Sequence, residues 1–242
     1  MTCTDDEKTY LKNYDSRVFK TPIVTVDTAL FTFHDEQLKV LLVQRSNHPD
    51  KGMWGLPGGF VDLNLDEALE DSAIRNVREK TKVDPPYIEQ LYTFGGSKRD
   101  KRGWSVTICY TALIAHQECE AGISSISGAK WVAISELKVL ELAFDHLKII
   151  SSARERLKQK ALYSIVPAYA LPVEFTLPEL QLLHEVLLEK PIQKKSFRRR
   201  IDQADLLVDT GNKRAQGGGR PATLYRMKEE SGSFTFVRNL EM

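Results

Sequence analysis

The chain has 242 residues and carries 34 Lys or Arg against 33 Asp or Glu; this leaves room for one large domain or two ordinary ones, and a net charge of +1 names no partner. Its opening, MTCTDDEK, is acidic and precedes no apolar run, and the longest apolar stretch, Thr107–Ala115, is too short to cross a bilayer, so the expectation is a soluble, cytoplasmic protein with no membrane partner. The three cysteines, Cys3, Cys109 and Cys119, are odd in number and lack metal-ligand spacing, a pattern of reduced thiols rather than of a disulfide framework.

Val24–Phe33 alternates partly in period two and is followed, after HDEQ, by the apolar run Leu38–Val43; the pair reads as a β-hairpin. Asp66–Lys82 places Leu69, Ala73 and Val77 at helical spacing. Strand-like segments follow at Ile88–Phe94, Ser105–Ala115 and Ala129–Ile134, which makes the first part a mixed α/β domain. Asp145–Leu162 reads as an amphipathic helix with Asp145 as N-cap and Leu147, Ile150, Leu157 and Ala161 close to one face. The stretch after it, YSIVPAYALPVEF, holds Pro167 and Pro172 and no sustained period, so it is a linker or a docking segment, and the domain boundary falls near Tyr163.

A different plan governs the remainder. Thr176-Leu-Pro-Glu179 has the form of a capping box, and Leu180, Leu183, Leu187 and Leu188 supply a core stripe for a helix from about Leu177 to Glu189. Pro191 ends it, a second short helix runs from about Lys194 to Leu206, and Gly211–Met227 reads as a hairpin with the glycine-rich tip Gly217–Gly219. Helix, turn, helix and basic hairpin together predict a winged helix-turn-helix. Lys190–Lys228 holds eleven Lys or Arg against three Asp, which leaves a net −7 on the rest of the chain: one basic patch on an otherwise acidic protein.

The turn Trp54-Gly-Leu-Pro-Gly-Gly-Phe-Val61 and the helix behind it resemble the Nudix hydrolases. Their box runs from a glycine through a glutamate to an Arg-Glu pair, then to two adjacent glutamates and a glycine before an aliphatic residue. Gly59 matches the first glycine, Glu67 takes the first glutamate if the loop is two residues longer, and Arg75 follows. Then the match fails: Asn76 stands for Glu, Glu79 is kept, Lys80 replaces the next Glu, and Lys82 replaces the glycine before Val83. Positions 76, 79 and 80 share a helix face, where the family presents carboxylates to Mg²⁺; with an amide and an ammonium there, no catalytic residue, metal or other cofactor is expected. Lys80 either supplies charge to a diphosphate or is a solvated surface lysine. A helix ending at Lys82 in the left-handed conformation costs a lysine on the order of 1 kcal/mol, which packing absorbs.

Further segments, among them PIVTVDTALFTF, EQLYTFGGSKRDKRG, LAFDHLKII, FTLPELQLLHEVLLEK and KKSFRRRI, resemble the Nudix-related transcriptional regulators of NAD metabolism over nearly the whole chain after about Thr21. The resemblance implies an α+β fold, a Nudix α/β/α sandwich over residues 1–162 followed by a small winged helix-turn-helix over 163–242. It also implies a homodimeric repressor that leaves a partly palindromic operator in double-stranded DNA when ADP-ribose or a related NAD derivative binds the Nudix domain. An active pyrophosphohydrolase of ADP-ribose-like substrates with an accessory nucleic-acid-binding domain is the alternative.

Under this resemblance the ligand falls to Arg45, Gly58, Gly59, Arg75, Glu79, Lys80, Arg99 and Arg102. Arginine suits a diphosphate through bidentate, charge-assisted bonds, and paired glycines allow close backbone approach. Trp104 is expected in the core and His146 as a packing residue at a helix start. Lys194, Lys195, Ser196, Arg198, Arg199 and Arg200 on the second short helix, with Lys213, Arg214 and Arg220 on the wing, are the candidate DNA contacts. Phe197, Ile201 and Ala204 form the opposite, apolar stripe, and helix plus wing is the arrangement that fills a major groove and clasps the backbone beside it. The helix Asp145–Leu162 is the expected lever between ligand and DNA.

Overall fold

In the computed structural model, which describes residues 5–215 and 221–229, a short helix α1 (Asp5–Asn13) precedes a seven-stranded mixed sheet. Cys3, the tip Gly217–Gly219 and Arg220 lie outside the described residues. Strands β1 (Ile23–His34) and β2 (Gln37–Gln44) form the expected hairpin, with Phe31 opposite Val40 and His34 opposite Gln37. Asp35 and Glu36 turn it with positive φ at both positions, the geometry whose twist matches the strands. The short strands β3 (Trp54–Gly55) and β4 (Gly58–Phe60) come next, then helix α2 (Leu69–Thr81) and strands β5 (Tyr87–Gly96) and β6 (Ser105–Leu113). Helix α3 (His116–Ser124) leads to β7 (Ala129–Ala133), and α4 (His146–Ala161) ends this part. The sheet order is β3-β2-β1-β6-β5, with β4 paired to β1, β7 paired to β2, and β1 parallel to β6.

Val26–Phe33 is buried without a break because helices cover both faces of the sheet. Leu30 and Leu41 pack with Val77 of α2 and Cys119 and Ile123 of α3. Ala29, Phe31, Phe33, Val40 and Leu42 point the other way, into a core shared with Ile149, Ile150, Ala153 and Leu157 of α4. The α/β/α sandwich is therefore the observed architecture, and Cys109 and Cys119 are buried, unpaired thiols within it. Three expectations need correction. Leu147 is 48% exposed, since the stripe facing the sheet runs through 146, 149, 150, 153, 157 and 161 and position 147 lies outside that arc. Trp104 is 54% exposed: it stands just before β6, with its ring edge against Gly95. Asp145 does occupy the N-cap of α4, but its side chain makes no capping bond there.

Of the two readings of the segment after α4, docking is the one realised. Val166, Pro167, Ala168, Ala170 and Leu171 are buried, and one apolar cluster continues from the sheet through α4 to Leu180, Leu183, Phe197 and Ile201. Strand β8 (Phe175–Thr176), helices α5 (Leu177–Leu188) and α6 (Lys194–Ala204), and strands β9 (Leu207–Arg214) and β10 (Ala222–Met227) make the winged helix, with sheet order β8-β10-β9. The capping box closes as its sequence dictates. Thr176 Oγ1 accepts from the Glu179 amide at 3.3 Å, and the Glu179 carboxylate accepts from the Thr176 amide at 2.7 Å. Among the described residues, no helix is long and apolar enough to cross a membrane.

Candidate functional site

A cavity of about 340 Å³ opens where β1, the end of β2, the β4 turn, α2, the β5–β6 loop and the start of α4 converge. Arg45, Lys80, Arg99 and Arg102 line it against two carboxylates, Asp27 and Asp100, so its wall carries excess positive charge. Asp100 and Arg102 satisfy one another, Arg102 Nη2 lying 2.7 Å from Asp100 Oδ2 and holding the carboxyl below the usual range, which leaves Arg45, Lys80 and Arg99 against Asp27. Arg45 donates from Nε to the Pro49 carbonyl at 2.9 Å and lays its guanidinium 4.5 Å from the centroid of the Phe144 ring. Lys80, half-buried, lines the wall as well.

The glycine turn is built by steric necessity. A Cβ on Gly58 would stand 2.1 Å from Asp27 Oδ1 and 2.7 Å from the Val26 carbonyl, and one on Gly59 would meet Asn76 Oδ1 at 3.3 Å. Asp27 itself, at the floor of the cavity, accepts from Thr107 Oγ1 at 2.7 Å. His146 is the buried packing residue its position suggests, and it also lines the cavity. Its Nδ1 accepts from the Leu56 amide at 2.9 Å, which leaves the ring proton on Nε2, 3.9 Å from Asp27 Oδ1. Burial pushes the imidazole pKa down, so this ring is neutral in ordinary conditions. Neither Asp27 nor Phe144 was among the sequence candidates, although a lone carboxylate in VTVDTALFTF, where every neighbour is apolar or a hydroxyl, was a signal for the first.

Arg99 faces two ways. It lines the cavity, yet its fork grips Asp145, with Nη2 at 2.9 Å and Nε at 3.3 Å from the two carboxylate oxygens, while Nη1 donates to Ser105 Oγ at 3.2 Å. The pair accounts for the missing cap at α4, because the Asp145 carboxylate is turned toward the loop rather than toward the helix amides.

Arg75 and Glu79 are not brought into the cavity wall. Arg75 reaches across to Asp66, at 2.8 and 2.7 Å, and to the Phe60 carbonyl at 3.2 Å, with Glu79 at 3.5 Å. The carboxylate opposite Arg75 is thus Asp66, whose side chain is 1% exposed, and not Glu67, which is exposed; the loop places position 66 inward and 67 outward. Asp66 also accepts from Ser72 Oγ at 2.5 Å and the Asp62 amide at 2.8 Å, and Arg75 holds its carboxyl well below the usual range. Asn76 is buried, its amide nitrogen 3.5 Å from the Val26 carbonyl. Lys82 ends α2 with φ +63°, the left-handed C-cap anticipated at that position.

On the winged helix, α6 exposes Lys194, Lys195, Ser196, Arg198, Arg199 and Arg200 while Phe197 and Ile201 are buried, Phe197 edge-on to His184 of α5. Gln193 caps the helix by accepting from the Ser196 amide at 2.6 Å. On the wing, Lys213 is exposed, whereas Arg214 turns inward: it pairs with Glu179 at 2.9 Å and donates to the Glu174 carbonyl at 2.9 Å. Its guanidinium ties the wing to α5.

The Nudix domain family matches residues 24–153, and the NrtR DNA-binding winged helix domain matches residues 167–227. A protein of Acinetobacter baylyi named ADPR responsive transcriptional repressor NtrR is 41% identical over 97% of this chain and 94% of its own. The crystal structure of Shewanella oneidensis NrtR complexed with a 27mer DNA is 62% identical and covers 90% of this chain and 100% of that chain, with a TM-score of 0.87. The NUDIX domain of that protein, solved as a complex with ADP ribose, is 58% identical over 62% of this chain and 98% of its own, with a TM-score of 0.58.

Proposed function

The chain belongs to the NrtR family, which joins a Nudix domain to a DNA-binding winged helix, and from that premise we propose that it is a transcriptional repressor of NAD-related genes released from its operator by ADP-ribose or a related NAD derivative. The relatives named for an ADP-ribose response and solved with DNA and with ADP ribose support this reading. The observation that carries it is one of connection: α4 begins on a cationic cavity and shares an apolar cluster with the domain that presents the basic face of α6. In this reading residues 1–162 are the receptor and 163–242 the DNA-binding domain, the chain acts as a cytoplasmic homodimer, and Arg45, Lys80, Arg99 and Arg102 receive the diphosphate.

The receptor does not hydrolyse its ligand. Three oxygen donors on one helix face suit Mg²⁺, but here Asn76 offers a buried amide, Lys80 offers an ammonium on the cavity wall, and Glu79 is directed at Arg75. These residues do not fit the divalent cation of the hydrolases, and the charge that it would supply to a diphosphate comes from Lys80 and the arginines. One titration tests both halves. Full-length protein is bound to a duplex that it has itself selected from random-sequence DNA, ADP-ribose is added with Mg²⁺ or Mn²⁺, and the nucleotide is then assayed for cleavage. The expected result is DNA affinity weakened about tenfold to a hundredfold, a coupling of roughly 1.4–2.8 kcal/mol, with the nucleotide intact after hours. Turnover near ~1 s⁻¹ overturns the receptor reading in favour of the hydrolase.

A further inference from the structure

The first three residues at the entrance to α4 are each held by a group on the cavity wall. Phe144, a non-glycine residue at φ +52°, lies under the Arg45 guanidinium and donates its amide to Asp50 Oδ2 at 3.3 Å. Asp145 is clasped by the Arg99 fork, and the His146 ring is fixed by the Leu56 amide. From there α4 runs for 16 residues, about 24 Å at the helical rise. From its second half, Arg154 and Lys158 both close on Glu189, Lys158 at 2.9 Å. Glu189 is the left-handed C-cap of α5, at φ +56°, where the chain turns toward α6. One helix therefore has an ion pair to the cavity at its start and, in its second half, an ion-pair cluster to the turn of the helix-turn-helix.

We propose that Asp145 and Glu189 are the positioning residues of an effector relay: a diphosphate in the cavity takes the Arg99 fork from Asp145, and α4, loosened at its first turn, shifts Glu189 and with it the approach to α6. Arg99 is suited to the exchange because a guanidinium fork fits a carboxylate and a phosphate with the same two parallel bonds, so the ligand replaces its partner rather than stranding the charge. The consequence is a competition. The held form of α4 binds DNA, the loosened form binds effector, and each ligand draws the population toward its own form. Because half of the Asp145 partnership lies in the cavity, the relay rests on the reading of that cavity as an ADP-ribose site.

The two residues give opposite signatures in the full-length protein. Weakening the pair with Asp145→Asn should tighten ADP-ribose binding about threefold to tenfold and weaken effector-free DNA binding by a similar factor, since the loosened form is populated in advance. Simple structural damage would weaken both. Glu189→Gln cuts the far connection, at a side chain 52% exposed, so the fold tolerates it. ADP-ribose affinity should then stay within about twofold of wild type while the loss of DNA affinity on adding ADP-ribose falls below about threefold. The measurements are calorimetric titration with ADP-ribose and fluorescence anisotropy on the selected duplex. If Asp145→Asn weakens ADP-ribose binding, or if Glu189→Gln keeps the full response, the relay is overturned and the receptor reading stands. A wild-type chain that binds ADP-ribose without any change in DNA affinity overturns both.

Discussion

Asp66→Asn is the substitution that most directly tests how the candidate site is held. The wild-type carboxylate is nearly inaccessible and receives two bonds from Arg75, one from Ser72 Oγ and one from the Asp62 amide. Asparagine keeps the shape but loses the charge, and its amide hydrogens face donors, so a partly buried guanidinium is left short of a partner. Breaking such a pair costs about 3–5 kcal/mol when it is deeply buried; Arg75 is 22% exposed and keeps Glu79 and the Phe60 carbonyl, which brings the expectation to about 2–4 kcal/mol. All three tryptophans, Trp54, Trp104 and Trp131, lie in the Nudix part, so urea unfolding followed by their fluorescence reports on the affected domain. At a slope of about 3 kcal/mol per molar, the midpoint should drop by about 1 M. The pH dependence adds a sign. A carboxyl whose pKa is lowered in the folded state contributes stability that is present above its unfolded pKa of about 3.9 and is lost as pH falls through the folded value. The gap between wild type and variant should thus be constant near neutrality and narrow below about pH 4. A gap under about 0.5 kcal/mol at neutral pH, or one that widens in acid, refutes the argument.

Gly58→Ala forces a methyl group into Asp27 and the Val26 carbonyl and should cost about 1–3 kcal/mol while abolishing ADP-ribose binding; denaturation and calorimetry measure the two effects. Lys80→Glu places a carboxylate on the cavity wall and should remove the ADP-ribose response with DNA affinity near wild type, and an unchanged response in the anisotropy assay would return Lys80 to the solvated reading. Arg198→Ala or Arg199→Ala should cost about 1–3 kcal/mol on the preferred sequence where the side chain reads a base, or weaken all sequences evenly and flatten the salt dependence where it touches phosphate.

What was legible in the sequence was what neighbours in the chain decide. The β1–β2 hairpin, the Thr176–Glu179 capping box, the apolar stripe of α5 and the left-handed end of α2 at Lys82 all follow from local spacing or backbone preference, and each is where the sequence put it. The misses share the opposite property. Asp145 looks like a cap until Arg99, distant in the chain, claims its carboxylate. Spacing to Arg75 singles out Glu67, but the path of the loop turns Asp66 inward to Arg75 instead. Trp104 has the chemistry of a core residue, but burial is decided by the packing of distant elements, and among the described residues it is left 54% exposed. Arg214 reads as one more cation of the basic patch because its partner, Glu179, lies far off in the chain, on α5.

The same distinction explains how the glycine turn outlasts changes in the motif that follows it. The bonds that hold the loop to α2 run through Asp66, Ser72, Arg75 and the Phe60 carbonyl. The positions where a metal-binding face needs carboxylates contribute little to that hold: Glu79 reaches Arg75 at 3.5 Å, Asn76 reaches Val26 at the same distance, and Lys80 looks into the cavity. Replacing Glu by Asn at a buried position even removes the need to bring a charge out of water beside Gly59. The geometry that shapes the cavity and the charges that decide its chemistry therefore rest on different residues of one helix, so the second set can change sign while the first keeps the cavity open for a ligand.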